Sequence, residues 1–571
     1  MVVGGRPTTP AGHRSSRHPE ASRQMSGTVQ NSVPDLDARP DGVDLSVPET
    51  FWELVERRAA LTPDTELFAD GLGRGLTAAQ FKAAAERTAV ALAGRGIGVG
   101  TVVSWQLPTT LESVVLMMAL ARLGATQNPI IQTLREREVG SITAKAGTSV
   151  FVTVPSWRGF DHGALMSALI ADRGGVGELL LVDHRAAAAE GRLALPMADA
   201  GEPLPPPAPP AGPGETRWIY TTSGTTADPK GVLHTDHSVA VAARGNVTGA
   251  EPTPADLYPI AFPLAHIGGA VMLAASLLSG LRLLLLDSFD AETTPRLMAA
   301  AGATMLGSAA PFLNAYLAAQ AADRVDDPGA VLYPKLRAAY SGGAPKPPGL
   351  HAAVARELGG RGVLSSWGMT EFPLATHARL DDTDDELTAT EGRAAPDVEI
   401  RVVAVDGTPC PPGVEGELLL RGPQLFSGYL GVPAGEIAEL FDADGFFRTG
   451  DLGVVGPRGH VRITGRRKDV IIRNAENIAA PEVEDILATH PSIAEVAVIG
   501  LPDERTGERC CAVVRLTAGA APVTLADLAA HALAGGLAKF KLPEQVEFVD
   551  VLPRTDMGKV AKNLLRKRYL P

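Results

Sequence analysis

One loop of the chain combines the residue types that bind a polyphosphate. It reads TTSGTTADPKG from Thr221 to Gly231 and directly follows Trp218–Tyr220, a short apolar run that predicts a strand. Glycine lets the backbone approach a ligand closely, the hydroxyl and backbone N–H groups donate hydrogen bonds, and Lys230 supplies a mobile positive charge. The spacing of a Walker A motif is absent. These residues alone fit either a phosphate-binding loop or an ordinary solvated turn.

Five further short motifs follow this loop along the chain. They are SGGAP at Ser341–Pro345, WGMTE at Trp367–Glu371, RTGD at Arg448–Asp451, GRRKD at Gly465–Asp469 and PRTDMGKV at Pro553–Val560. Each has an ordinary explanation when it is taken singly, as a turn, a basic surface patch or a lysine near a solvated C-terminus. Their occurrence together and in this order is the informative feature.

The six motifs together resemble those of the adenylate-forming superfamily, which contains acyl-CoA synthetases, luciferases and the adenylation domains of peptide synthetases. The first loop is similar to the family's T-S-G-T-T-G-x-P-K-G loop, with Ala227 where glycine is usual. The WGMTE segment resembles Y-G-x-T-E, with Trp367 in place of tyrosine, and an indole can still stack on adenine. The resemblance extends from about Val47 to Pro571.

The resemblance implies a role for each matching residue. It implies that Thr370 contacts a phosphate, that Glu371 holds Mg²⁺, and that Asp451 binds the ribose hydroxyls. Lys559 is implied as the catalyst of adenylation, and Lys468 as the hinge on which a small domain turns. The other implied nucleotide-binding positions are Thr222, Ser223, Gly224, Thr225, Thr226, Lys230, Gly342, Gly343, Ala344, Pro345, Trp367, Gly368, Met369 and Arg466.

The activity that follows from the resemblance is that of an ATP-dependent carboxylic acid–CoA ligase, with ATP, Mg²⁺ and coenzyme A as its cofactors. Such an enzyme first makes acyl-AMP and pyrophosphate, and a thiol then displaces AMP. After the hinge, this chain has Asn474 and Ala475 where CoA ligases usually have glycine. In the family this loop lines the thiol tunnel, which the side chain of Ala475 would narrow. An acyl-AMP ligase that transfers the acyl group to a carrier-protein phosphopantetheine therefore remains an alternative. A non-catalytic nucleotide-binding relative is a third possibility.

The segment PLAHIGG resembles the motif that flanks the acyl pocket of acyl-CoA synthetases, and it places His266 beside the substrate. Small residues in and after it suggest a roomy, apolar pocket, and these are Gly268, Gly269, Gly307, Ser308 and Ala309. No basic residue stands in these segments to hold a second carboxylate. We therefore expect a medium-chain, alicyclic or aromatic monocarboxylic acid as the substrate.

The elements that must position these motifs alternate between helix and strand. Helices are predicted at Thr77–Ala93 and Leu111–Leu123, and strands at Thr126–Ile131 and Ser149–Val154. Such alternation predicts an α/β fold with mostly parallel sheets, and the α/β pattern is expected up to Arg462. The tail beyond Gly465 reads instead as a small α+β domain.

The predicted domain organisation has four parts. Residues 1–46 form a disordered tail, 47–464 a large adenylation domain, 465–469 a hinge, and 470–571 a small mobile domain. The tail is rich in proline, serine and arginine, a composition that cannot bury a core. It lacks the apolar stretch of a secretory signal, and Met25 is an alternative start of translation.

Composition narrows the class of protein. The 571 residues include 52 Lys+Arg against 65 Asp+Glu, which gives a formal charge of −13 and argues against nucleic acid as the main partner. No apolar run approaches the roughly 18–20 residues that span a bilayer. The three cysteines (Cys410, Cys510 and Cys511) form no CxxC pair, so neither a disulfide framework nor a zinc site is expected. These features predict a cytoplasmic enzyme with small-molecule substrates.

Overall fold

The computed structural model describes residues 1, 28–29, 44–199, 201–212, 214–222, 230–343, 346–347, 349–473, 476–503, 506–555 and 559–570. Sheets with helices packed on them make up most of this chain, so the α/β fold class is confirmed. The helices are Phe51–Leu61, Ala78–Ala93, Leu111–Leu123, Glu136–Ala146, His162–Asp172, His184–Ala189, Asp236–Ala240, Ala243–Ala250, Ile267–Ser279, Thr294–Ala300, Ala310–Asp326, Leu350–Glu357, Asp384–Ala389, Ala434–Ala438, Ala480–Leu487, Leu525–Ala534 and Lys562–Tyr569.

The largest sheet has seven strands and carries the first motif. In spatial order they are Gly428–Tyr429, Lys230–His234, Trp218–Thr222, Thr126–Pro129, Val102–Gln106, Val150–Thr153 and Glu178–Leu181. The last five run parallel, and the two strands at the other edge are antiparallel. Thr222 pairs with Lys230, so the ends of the predicted phosphate loop meet in one ladder.

Two further sheets are parallel on one side and antiparallel on the other. One contains Leu257–Ile260, Arg282–Leu285, Glu66–Asp70 and Gly75–Thr77. The other contains Met305–Leu306, Ala338–Ser341, Val363–Met369, Phe372–His377 and Arg393–Ala394. Two of its neighbouring strands, Ala338–Ser341 and Val363–Met369, end within the SGGAP and WGMTE motifs.

Residues 399–466 differ from the α/β pattern that the sequence suggests, and that expectation is wrong here. They form an antiparallel sheet of Glu399–Val403, Gly416–Arg421, Phe447–Val455 and Val461–Arg466, with the pair Thr28–Val29 from the predicted tail at its edge. Buried and partly exposed positions alternate along much of Phe447–Val455, because one face of the strand packs on the core and the other does not.

The last sheet is built from residues 470–548. Its strands are Glu476–Ala479, Val470–Arg473, Gly507–Leu516, Ile493–Asp503 and Gln545–Phe548. Cys510 is buried in its apolar cluster under the helices, whereas Cys511 faces a second cluster that contains Leu552 and Leu565. Short elements complete the fold, namely the strand pair Ser156–Trp157 and Phe160–Asp161 and the 3₁₀ turns at Arg467–Asp469 and Lys539–Lys541.

The principal core lies beneath the largest sheet. Its aromatic residues Phe51, Trp105 and Trp218 are buried, as is every residue of the helix Leu111–Leu123. A helix buried on all sides shows little amphipathic pattern, which explains its nearly continuous apolar sequence. In the part of the chain that the structure describes, no helix combines the length and the apolar character required to cross a membrane.

Candidate active site

Glu371 and the predicted phosphate loop meet at one aromatic side chain. The hydroxyl of Tyr429 donates to Oε1 of Glu371 over 2.7 Å, and Nζ of Lys230 lies 4.9 Å from the centre of the Tyr429 ring. Burial and the negative charge of Glu371 raise the pKa of Tyr429, so its hydroxyl remains a donor at neutral pH. The intervening Ser223, Gly224, Thr225 and Thr226 lie outside the described residues.

A buried histidine supports the backbone at Thr370. Nε2 of His234 donates to the carbonyl oxygen of Thr370 over 2.7 Å, and Nδ1 lies 2.9 Å from the hydroxyl of Ser238. Burial lowers the pKa of His234 to about 4, so the imidazole is neutral at physiological pH. Neither His234 nor Tyr429 was identified from the sequence. Both act across long chain separations, and no local spacing marks them.

His234 makes the stability of the protein depend on pH. Because its folded-state pKa of about 4 lies below the ordinary 6.5, the unfolded chain takes up the proton first as the pH falls. Its contribution is complete above about pH 6.5 and decreases toward pH 4, by up to about 1.4 kcal/mol per pH unit. We expect His234→Gln to reduce the slope of the unfolding free energy against pH in this window, while the share from the similarly shifted His266 remains. An unchanged slope in His234→Gln would refute the assignment.

Asp451 is held between two of the other predicted residues. It lies opposite Arg466 in the antiparallel ladder, and Nε of Arg466 is 2.8 Å from its Oδ1. The indole Nε1 of Trp367 donates to Oδ2 over 2.8 Å. The Asp451 side chain is almost completely buried. The structure thus joins the WGMTE, RTGD and GRRKD motifs at one carboxylate.

Lys559 lies beside the SGGAP motif, although it belongs to the end of the chain. A methyl group added at Gly343, whose φ is +77°, would be 3.9 Å from Cε of Lys559. The charge of Lys559 also acts on His266: burial, with Lys559 as the second cause, lowers the pKa of that histidine to about 4. Ala344, Pro345 and Ala475 lie outside the described residues, as does the side chain of Lys468.

His266 lines an apolar cleft. Its Nδ1 accepts the backbone N–H of Gly268 over 3.1 Å at the start of the helix Ile267–Ser279, which leaves the ring proton of the neutral imidazole on Nε2. The cleft measures about 310 Å³ when the space that opens to solvent is included. Its lining residues among those described are Pro129, Ile130, Ile131, Leu134, Tyr220, Thr221, Ala265, His266, Ile267 and Thr370, and none of them carries a charge at neutral pH.

Gly269 and Gly307, two of the glycines that suggested a roomy pocket, lie instead at points of close packing. A methyl group at Gly269 would lie 2.4 Å from the carbonyl oxygen of Leu264, and one at Gly307 would lie 2.1 Å from the hydroxyl of Tyr258. Both positions are already filled by neighbouring atoms, so the expectation of pocket space at these two residues is wrong. The close approach of backbone and side chain requires glycine there.

The remaining predicted positions surround this cluster. Thr222 ends its strand beside Lys230, and Gly342 lies close to Ser366. Gly368 is enclosed by backbone, since a methyl group there would lie 2.5 Å from the nitrogen of Leu374. Met369 packs against the apolar cluster that contains Trp367.

The chain is similar to known proteins over most of its length. Residues 55–430 match the family model for AMP-binding enzymes, and residues 482–559 match the C-terminal domain of AMP-binding enzymes. The medium-chain fatty-acid–CoA ligase of Escherichia coli is 32% identical over 520 residues, which cover 90% of this chain and 89% of that protein. The salicyl-AMP ligase/salicyl-S-ArCP synthetase of Mycobacterium tuberculosis is 32% identical, with 88% of both chains covered. The crystal structure of ATP-bound MatB from Rhodopseudomonas palustris superposes with a TM-score of 0.77 at 30% identity, over 91% of this chain and 99% of that one.

Proposed function

The chain belongs to the AMP-binding enzyme family of the adenylate-forming superfamily, and from this premise we propose that it is an ATP-dependent carboxylic acid–CoA ligase. The observation that carries the proposal is that Lys559 lies beside Gly343 and acts electrostatically on His266, which lines the apolar cleft. A carboxylic acid has a charged end and an apolar end, so a cation next to an apolar cleft is suited to bind both.

In the first half-reaction, a carboxylate oxygen of the acid attacks the α-phosphate of ATP and pyrophosphate leaves. Lys559 donates to the oxygens on which negative charge redistributes in the transition state. Asp451 accepts from the ribose hydroxyls, and Lys230 with the hydroxyl of Thr222 binds the leaving pyrophosphate. The short separation of Lys230 from the Tyr429 ring supports this placement, because cation–π contact orients the ammonium group.

Glu371 fits a magnesium ligand. Mg²⁺ prefers carboxylate oxygens together with substrate phosphates. Tyr429 occupies Oε1 of Glu371, and the described part of the chain shows no donor on Oε2. When bound, the ion would neutralise charge on the phosphates. The hydrogen bond from Tyr429 orients the Glu371 carboxylate next to the end of the phosphate loop at Lys230.

The acid is a medium-chain, alicyclic or aromatic monocarboxylic acid. The uncharged, largely apolar lining of the cleft supports this class, since a second carboxylate would be buried there without a partner. His266 is neutral at pH 7 and so does not form an ion pair with the acid. Its Nε2–H donor is suited to a carboxylate or carbonyl oxygen.

In the second half-reaction, a thiol attacks the acyl carbonyl and AMP leaves. We place the hinge at residues 465–469, with Lys468 as its pivot and 470–571 as the domain that moves between the steps. The short turn Arg467–Asp469 between two strands supports this position. A carrier-protein phosphopantetheine is the second candidate acceptor, favoured by Ala475 and by the likeness to the salicyl-AMP ligase. We expect the enzyme to act in the cytoplasm, on ATP, CoA and a small acid.

The proposal is tested by pyrophosphate release with Mg·ATP over a panel of carboxylic acids, each with and without CoA. We expect release that depends on an apolar monocarboxylic acid and increases with CoA, with AMP and acyl-CoA as products. Acyl-AMP that CoA does not discharge would instead identify a carrier protein as the acceptor. Absence of acid-dependent release over the whole panel would refute the ligase assignment.

A further inference from the structure

We propose that Trp367 is a positioning residue for Asp451: its indole N–H holds one carboxylate oxygen so that the remaining lone pairs of Asp451 face the ribose hydroxyls of the nucleotide. This inference rests on the proposed function, in which Asp451 binds ATP. It gives Trp367 a task besides stacking on adenine, and one that depends on a ring N–H.

The geometry ties the two residues together. Nε1 of Trp367 lies 2.8 Å from Oδ2 of Asp451, while Nε of Arg466 lies 2.8 Å from Oδ1. Trp367 is 7% exposed and Asp451 4% exposed. The indole donor and the guanidinium cation therefore approach different oxygens of one buried carboxylate, and together they determine the plane in which it lies.

Packing keeps the indole in place. Trp367 belongs to an apolar cluster that includes Phe372, Val398 and Leu418. The backbone of Leu374 packs directly against the next residue, Gly368. A large ring enclosed in this way has little rotational freedom, so the direction of its N–H is set before any ligand arrives. Pre-organisation of this kind lowers the cost of binding.

The carboxylate has enough acceptor capacity for all its partners. An ionised carboxylate offers about four lone-pair sites, and Trp367 and Arg466 use two of them. The other two suffice for the two ribose hydroxyls. Because the indole is uncharged, it orients the carboxylate without neutralising its charge as a second arginine would.

The test is a comparison of Trp367→Phe with the wild type, using ATP and 2′,3′-dideoxy-ATP as substrates for pyrophosphate release. Loss of a hydrogen bond to a charged group should raise the KM for ATP about tenfold, with kcat changed by less than about twofold. With 2′,3′-dideoxy-ATP both enzymes should have the same KM within about twofold, because neither can use the ribose contacts.

Two further variants separate positioning from packing. Trp218→Phe removes a similar buried indole–carboxylate bond, 2.7 Å to Asp236, and should leave the ratio of the two nucleotide KM values unchanged. Benzothienylalanine at position 367 replaces only the indole N–H by sulfur and keeps the ring shape. If Trp367→Phe does not fold, this variant should show the rise in the KM for ATP that is expected of Trp367→Phe.

The outcomes are distinct. An equal rise in KM for both nucleotides would mean that Trp367 acts by stacking or packing alone, and an unchanged KM for ATP would mean that its N–H has no role. Either result overturns the inference while an active wild type leaves the proposed function intact. A wild type without acid-dependent pyrophosphate release would instead remove the proposed function itself.

Discussion

Lys559→Ala should lower the rate of acyl-AMP formation by about 10²–10³, since removal of one pre-organised donor to the reacting oxygens typically costs that much. Lys559 lies near Gly343 and acts electrostatically on His266. If the small domain carries the lysine away before the thiol attacks, the variant should still convert supplied acyl-AMP to acyl-CoA at close to the wild-type rate. Both steps can be followed separately by rapid quench.

A matched control lies three residues further along. Nζ of Lys562 forms an ion pair with Glu484 over 2.7 Å, so Lys562→Ala also removes a cation from the end of the chain. It should keep both rates within about threefold of the wild type, because an ion pair of this kind contributes at most about 1 kcal/mol. Equal loss of both half-reactions in Lys559→Ala would contradict the assigned role.

Glu371→Gln should reduce adenylation by about two orders of magnitude, because electrostatic contributions to phosphoryl chemistry are of that size. The substitution keeps the shape of the side chain and removes its charge, which weakens a magnesium site. Saturation should therefore require a higher Mg²⁺ concentration, measured by titrating Mg²⁺ at fixed ATP.

Tyr429→Phe is the control for orientation. It removes the 2.7 Å hydrogen bond to Glu371 but keeps the carboxylate, so the loss of rate should be no more than about tenfold. Its Mg²⁺ requirement should stay near that of the wild type. A Glu371→Gln enzyme with an unchanged Mg²⁺ requirement would exclude Glu371 as a ligand of the ion.

The sequence predicted local elements well where a single pattern determines them. The helix Leu111–Leu123 has the bounds that its apolar pattern predicts, and the helix predicted at Thr77–Ala93 begins one residue later, at Ala78. The antiparallel sheet of residues 399–466 was missed, because neighbouring strands with one exposed face carry a weak and ambiguous signal. Which strands pair with one another, and in which sheet, leaves no local trace in the sequence.

In the candidate site, too, local motifs were predictable from the sequence and long-range contacts were not. Motif order identified Asp451, Trp367 and Arg466 as members of one site, yet the hydrogen bond from Trp367 to Asp451 joins residues 84 positions apart, and it becomes visible, like the Asp451–Arg466 ion pair, only in three dimensions. The contacts of His234 with Thr370 and of Tyr429 with Glu371 are likewise long-range. Glycine content misled at Gly269 and Gly307, since a missing side chain can mark tight packing as well as open space.

In the proposed reaction, a carboxylate oxygen of the acid attacks the α-phosphate of ATP. The most direct measurement uses a substrate acid labelled with ¹⁸O in both carboxylate oxygens, followed by mass spectrometry of the phosphorus-containing products after complete conversion to the thioester. We predict one ¹⁸O atom in AMP and none in pyrophosphate, because the bridging oxygen of acyl-AMP leaves with the nucleotide. Unlabelled AMP, or label in inorganic phosphate, would contradict it.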